Sequence, residues 1–119
     1  MTQDNRDLQR LIHVLEYCRK IKIAAAVFDD NYEKFLDDKN YPARDLCSFY
    51  ILQIGELVGG LSDDFRNANQ NIPWRAIKGM RNVVVHKYGS IDLETLWEVL
   101  SIDLPKLECD CRDILNSQW

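Results

Sequence analysis

The chain has 119 residues, 46% of them apolar and 29% charged, with a formal net charge of −4. That length fits one domain (residues 1–119) with one modest core, and that apolar share excludes a disordered chain. No apolar run approaches the roughly 18 residues of a membrane span, and the polar opening Met1–Arg10 excludes a secretory signal, so a cytoplasmic protein with no membrane partner is expected.

Taken in chain order, the residues predict helices throughout. Asp4 can cap a first helix running to about Phe28, with Leu8, Leu11, Ile12, Leu15 and Cys18 as its apolar stripe. Asp29-Asp30-Asn31 breaks it, and Tyr32 to Leu36 reads as a short helix. Pro42 can start the next long helix, which carries Leu46, Tyr50, Ile54, Leu57 and Leu61 on one side. Ser62 to Asn71 is polar and reads as a short helix or loop. Pro73 opens a fourth helix, and Gly89 is placed to stop it just past Tyr88. Asp92 caps the last helix, whose stripe runs Leu93, Trp97, Leu100, Leu104, Leu107, Cys111, Ile114, with Pro105 expected to kink it. No segment shows sustained strand alternation. The expected fold is an all-α antiparallel bundle of four to five helices.

Cys18, Cys47, Cys109 and Cys111 lack metal-ligand spacing, because the Cys109/Cys111 pair has no second pair or nearby histidine. Reduced thiols packed in helices are expected, with no metal and no cofactor. The acids are distributed unevenly. All 19 lie at or before Asp64, or at or after Asp92. Between them lie Arg66, Arg75, Lys78, Arg81 and Lys87 with no acid. A local basic strip on an acidic protein still attracts phosphates, because distant charges are screened. Arg75, Lys78 and Lys87 are therefore candidate RNA-binding residues.

The run Arg81-Asn82-Val83-Val84-Val85-His86-Lys87-Tyr88 places an arginine, an asparagine, a histidine and a tyrosine within two helical turns. With about 100° per residue and Arg81 at zero, Trp74, Ile77, Val84, Val85 and Tyr88 fall within about 60° of it. Arg81 thus lies in an apolar stripe, where its charge needs a carboxylate or a phosphate partner. Glu56 of the middle helix is a candidate carboxylate. Val83 and Met80 fall on another side, so the helix is expected to be covered both by its own bundle and by a second subunit. Asn82 and His86 are i,i+4 neighbours whose side chains can meet. Tyr88 ends the helix on the Arg81 side with its hydroxyl toward water. His13 lies beside the stripe of the first helix and reads as structural.

These residue types suit cleavage of a phosphodiester without a metal. Arginine holds phosphate through a planar fork of donors, and histidine moves protons near neutral pH. In RNA a base removes the 2′-hydroxyl proton, that oxygen attacks the adjacent phosphorus, and an acid protonates the departing 5′ oxygen. One histidine cannot be both base and acid in one step. A two-fold homodimer would supply two His86 and two Arg81 to one cleft.

Arg81-x4-His86-x-Tyr88 resembles the R-x4-6-H motif of HEPN ribonucleases, and more closely the R-x4-H-x-Y version of the HepT toxins. Gly55-Glu56, Ile72-Pro73-Trp74, Met80-Arg81-Asn82, Asp92, Trp97 and Leu104-Pro105 fall in the same order as that family's landmarks, so the resemblance extends from Asp4 to Leu115. It implies a HEPN-like fold and a metal-independent endoribonuclease, active as a homodimer, from a prokaryotic toxin–antitoxin pair. Arg81 and His86 match the catalytic residues, and Asn82 matches the polar residue that supports them. Tyr88 matches the tyrosine that a cognate minimal nucleotidyltransferase (MNT) antitoxin modifies with AMP. An added phosphate beside Arg81 and His86 would occupy the anion site and exclude RNA. The alternative is a HEPN-type binding subunit that cuts nothing and presents substrate to a nucleotidyltransferase.

Overall fold

A computed structural model describes the backbone of residues 3–80 and 92–117, with side chains described from residue 5 onward. Helix α1 spans Gln3–Ala25. Its buried line is Asp7, Leu11, Val14, Cys18 and Ile21, at alternating steps of four and three, with Leu8, Ile12 and Leu15 half-buried beside it. This is the stripe read from the sequence, with its centre turned toward Val14 and Ile21. A 3-10 turn at Ala26–Phe28 tightens the end of the helix. Asp29 and Asp30 then take φ of 53° and 50°. Aspartate tolerates this left-handed region better than most residues.

Helix α2, Tyr32–Leu36, is capped by the Asn31 side chain, which accepts from the Lys34 amide at 3.0 Å. It buries Phe35 against Phe28 and Trp97, with ring centroids 5.1 and 5.0 Å away. A 3-10 turn at Asp38–Asn40 leads into α3, Tyr41–Gly59. Near its start the buried Arg44 donates to the carbonyls of Phe35 at 2.6 Å and Asp37 at 2.9 Å. Carbonyl oxygens there take the place of a counter-ion and tie α2 to α3.

The buried face of α3 differs from the expected one. It comprises Cys47, Ser48, Ile51, Ile54, Gly55 and Val58, whereas Tyr50 and Leu57 are half-buried and Leu46 is 42% exposed. The helix is apolar on two sides, and it buries the side with the smaller residues. Ser48 carries a cost in this position, since its buried hydroxyl has no hydrogen-bond partner among the described residues. Ser48→Ala is therefore expected to leave stability unchanged or raise it by up to about 1 kcal/mol in urea melts.

Ser62 caps α4, Asp63–Ala68, by accepting from the Phe65 amide at 3.1 Å. Helix α5, Trp74–Gly79, follows Pro73 and buries Trp74 and Ile77, with Met80 buried just beyond. Asp92 caps α6, Leu93–Glu98, as expected, accepting from the Thr95 amide at 3.2 Å. A π-helical turn, Val99–Asp103, joins α6 to α7, Leu104–Asn116. The buried positions run Leu96, Val99, Leu104, Leu107, Cys111 and Leu115. The step of five between Val99 and Leu104 is the residue added by the π turn. It turns Asp103 out to solvent and brings Leu104 into the core. The irregularity therefore precedes Pro105, which falls in the first turn of α7, where no amide donor is required.

Helix α1 packs chiefly against α3, and next against α7. Asp7 meets Ser62 just beyond α3, and Tyr17 meets Tyr50 further back, so α1 and α3 are antiparallel. Lys22, near the end of α1, pairs with the buried Glu108 near the start of α7, making these two antiparallel as well. No strand occurs among the described residues, and the fold is an all-α HEPN-like bundle. None of its described helices is long and apolar enough to cross a membrane.

The core encloses three thiols, Cys18, Cys47 and Cys111, while Cys109 is exposed. Burial pushes all three up to about 12 from an ordinary 9.0, helped at Cys18 by the neighbouring Glu108. Brief iodoacetamide treatment of the native protein near neutral pH should label Cys109 alone, as read by peptide mass spectrometry. A thiol pKa raised by folding stabilises the fold fully below pH 9.0 and loses that contribution as pH rises toward about 12. Circular dichroism should accordingly show a fall in stability across that alkaline window.

Candidate active site

A cleft of about 740 Å³ opens where α1, α3 and α5 meet. Helix α1 contributes Arg10, His13 and Tyr17, spaced i, i+3, i+7 on one face. Helix α3 contributes Gln53, Glu56 and Leu57, ending at the pair Gly59-Gly60. Helix α5 contributes Lys78. Among the described lining residues two cations, Arg10 and Lys78, face one acid, Glu56, so the cleft favours anions.

Lys78, an expected RNA-binding residue, lines this cleft. Arg75, on the same helix, is exposed but not part of the lining. Arg66, from the same acid-free window, pairs with Asp63 at 2.7 Å and is turned to a neighbour instead. Arg81, Asn82, His86, Lys87 and Tyr88, together with the expected helix stop at Gly89, lie outside the described residues. Lys78 stands three residues before Arg81 in the chain, and three residues span at most about 11 Å. The cleft and the motif are therefore close covalent neighbours.

His13 departs from the sequence reading. Rather than packing as a structural side chain, it is 53% exposed, with its Nδ1 3.5 Å from Glu16. Arg10 was not singled out from the sequence either. The signal for both was their helical register with Tyr17, but no spacing along the chain could show that α3 and α5 would complete a cleft beside them. Cys109 and Cys111 face opposite ways, one exposed and one buried. Among the described residues no three His, Cys, Asp or Glu side chains converge as a metal site would require.

A family model described as Ribonuclease HepT-like matches residues 14–114. A protein of Caldanaerobacter subterraneus named Putative RNase TTE0752 is 30% identical over 108 residues, covering 91% of this chain and 93% of that protein. Another, of Methanocaldococcus jannaschii and named Putative RNase MJ1380, is 34% identical over 80 residues, 67% of this chain and 72% of its own. A third, of Thermococcus cleftensis and named Probable ribonuclease HepT, is 32% identical over 77 residues, 65% of this chain and 68% of its own. No solved structure matches the chain. With the family's pattern extending over most of its length, the chain belongs to the HepT-like ribonucleases.

Proposed function

We propose that the protein is a metal-independent endoribonuclease whose working unit is a homodimer. Arg81 holds the scissile phosphate and meets the charge that grows on phosphorus. The His86 side chain of one subunit accepts the 2′-hydroxyl proton. The 2′ oxygen attacks phosphorus, the bond to the 5′ oxygen breaks, and His86 of the other subunit donates the proton that the leaving oxygen needs. The products are a 2′,3′-cyclic phosphate and a free 5′-hydroxyl. Asn82 supports the imidazole, while Arg75, Lys78 and Lys87 attract the flanking strand.

The observation that carries this reading is the intact Arg81-x4-His86-x-Tyr88 set within a chain of the HepT-like ribonuclease family. The names of the relatives agree with it. We place the protein as the toxin of a toxin–antitoxin pair, silenced when an MNT-type nucleotidyltransferase transfers AMP to Tyr88. In that step the tyrosine oxygen attacks the α-phosphorus of ATP and pyrophosphate leaves. The phosphate and adenine then fill the anion site.

Incubation of purified protein with total RNA in EDTA tests the proposal. Cleavage leaving 2′,3′-cyclic ends supports it. Intact RNA at high concentrations of protein with unmodified Tyr88 overturns it and leaves the binding-subunit alternative. A mass increase of one AMP on Tyr88 after coexpression with the partner supports the antitoxin link.

A further inference from the structure

We propose that the cleft at the end of α3 is a second phosphate site, in which Arg10 and Lys78 grip a backbone phosphate of single-stranded RNA away from the bond being cut. The choice of RNA as ligand rests on the ribonuclease reading. The site itself rests on the geometry at Gly60 and on the cations that line the cleft beside it.

Gly60 has φ of −92°, ordinary for any residue, so glycine is not required there by the backbone. Nor is it a left-handed helix stop. What it provides is space. A Cβ at Gly60 would collide with the guanidinium of Arg10. One at Gly59 would only make ordinary contact with the Lys78 stem, Cε lying at 3.4 Å, which places Lys78 over the same helix end. Two cationic side chains from different helices thus lie over a floor with no side chains of its own. Each could instead serve as a cap for the negative end of α3. Neither makes a hydrogen bond to the last carbonyls of α3, and the Gly60 amide itself bonds to the carbonyls of Leu57 and Val58. No ion pair or hydrogen bond to any described residue engages Arg10 or Lys78. Their donors remain available to an anion.

The cleft volume of about 740 Å³ suits a nucleotide-sized group. His13 adds an imidazole ring one turn along α1 from Arg10, and Gln53 adds an amide from α3. Lys78 precedes Arg81 by three residues, a separation of at most about 11 Å along the chain, so one RNA strand is long enough to reach both the cleft and the proposed cutting residues. The arrangement predicts that affinity for RNA depends on residues that the cleavage motif does not contain.

A short fluorescein-labelled 2′-O-methyl oligoribonucleotide, which cannot be cleaved by its own 2′ oxygen, is the probe. Binding is followed by anisotropy over a series of salt concentrations. The variants are Arg10→Gln, Lys78→Gln and Gly60→Ala, each checked for helicity. Gly60→Ala is the most informative, since it displaces the Arg10 guanidinium without changing charge. Each variant is expected to bind about tenfold more weakly. Each glutamine variant should also lower the slope of log K against log salt by about 0.7. Affinity and slope within twofold of the parent in all three variants overturn the proposal. If unlabelled 2′-hydroxyl RNA is still cut by a parent whose cleft variants bind normally, the inference fails and the ribonuclease reading stands. If the parent binds through the cleft but never cuts, the ribonuclease reading fails and the inference stands. A parent that neither binds nor cuts overturns both.

Discussion

Replacement of His86 by alanine is expected to reduce RNA cleavage by about 10²–10⁴ for each proton transfer it serves, with the fold retained. In a two-fold site the same substitution removes both acid and base, so the observed loss should lie at or beyond the upper end. Arg81→Ala removes a fixed cation from the phosphorane and is expected to cost about 10²–10³. The double variant should be little worse than the more damaging single one, because groups that act as one unit lose their effect together. Single-turnover cleavage of a labelled RNA in EDTA reads all three. RNA affinity should remain near the parent's for His86→Ala, since the cleft cations still hold the strand. Light scattering should give twice the monomer mass for the parent and for both single variants. Full activity in His86→Ala, or a strictly monomeric active parent, would overturn the mechanism.

The second large effect concerns Asp7. This carboxylate is fully buried, accepting from the Ser62 amide at 2.9 Å and from the Ser62 hydroxyl at 2.6 Å. That hydroxyl in turn accepts from the Phe65 amide. One acid near the start of α1 thus fixes the turn after α3 and the cap of α4, across 55 residues of sequence. Asp7→Ala breaks both hydrogen bonds to the buried carboxylate and leaves the half-buried amide and hydroxyl donors of Ser62 without that acceptor. The expected loss is about 3 kcal/mol. For a domain of this size that corresponds to a fall in melting temperature of about 10 °C. Asp7→Asn keeps one acceptor and should lose clearly less. Calorimetry or thermal circular dichroism reads both. Because Ser62 follows the Gly59-Gly60 floor so closely, Asp7→Ala should also weaken RNA binding through the cleft.

Much of the fold was legible from local chemistry. Asp92 announces a helix start because its short side chain can accept from an amide three residues on, and the structure adds Asn31 and Ser62, read from the sequence only as a break and as the start of a polar segment, as caps of the same kind. The short helix Tyr32–Leu36 is bounded by a pair of left-handed aspartates and a cap, both visible as residue types. The stripe of α1 was clear because only one of its sides is apolar. On α3 two sides are apolar, and periodicity cannot choose between them, so Leu46 was expected inside and Ile51 and Val58 were not. The π turn was hidden for a related reason. A regular 3.6-residue helix sorts Leu93, Trp97 and Leu100 into one stripe. Only the need to keep Asp103 outside and Leu104 inside selects the extra residue.

Of the candidate site, the sequence by itself determined the motif Arg81-x4-His86-x-Tyr88, its family, and the acid-free window around it, because those are properties of residue order. Tertiary structure decided which cations of that window remain available. Arg66 is drawn to Asp63, whereas Lys78 turns into a cleft alongside Arg10 and His13 from a helix some 65 residues away in the chain. The physical reason is that a cleft belongs to no single segment: its charge is set by which helix faces meet, and here Gly60 at the end of α3 leaves the space that the Arg10 guanidinium of α1 fills.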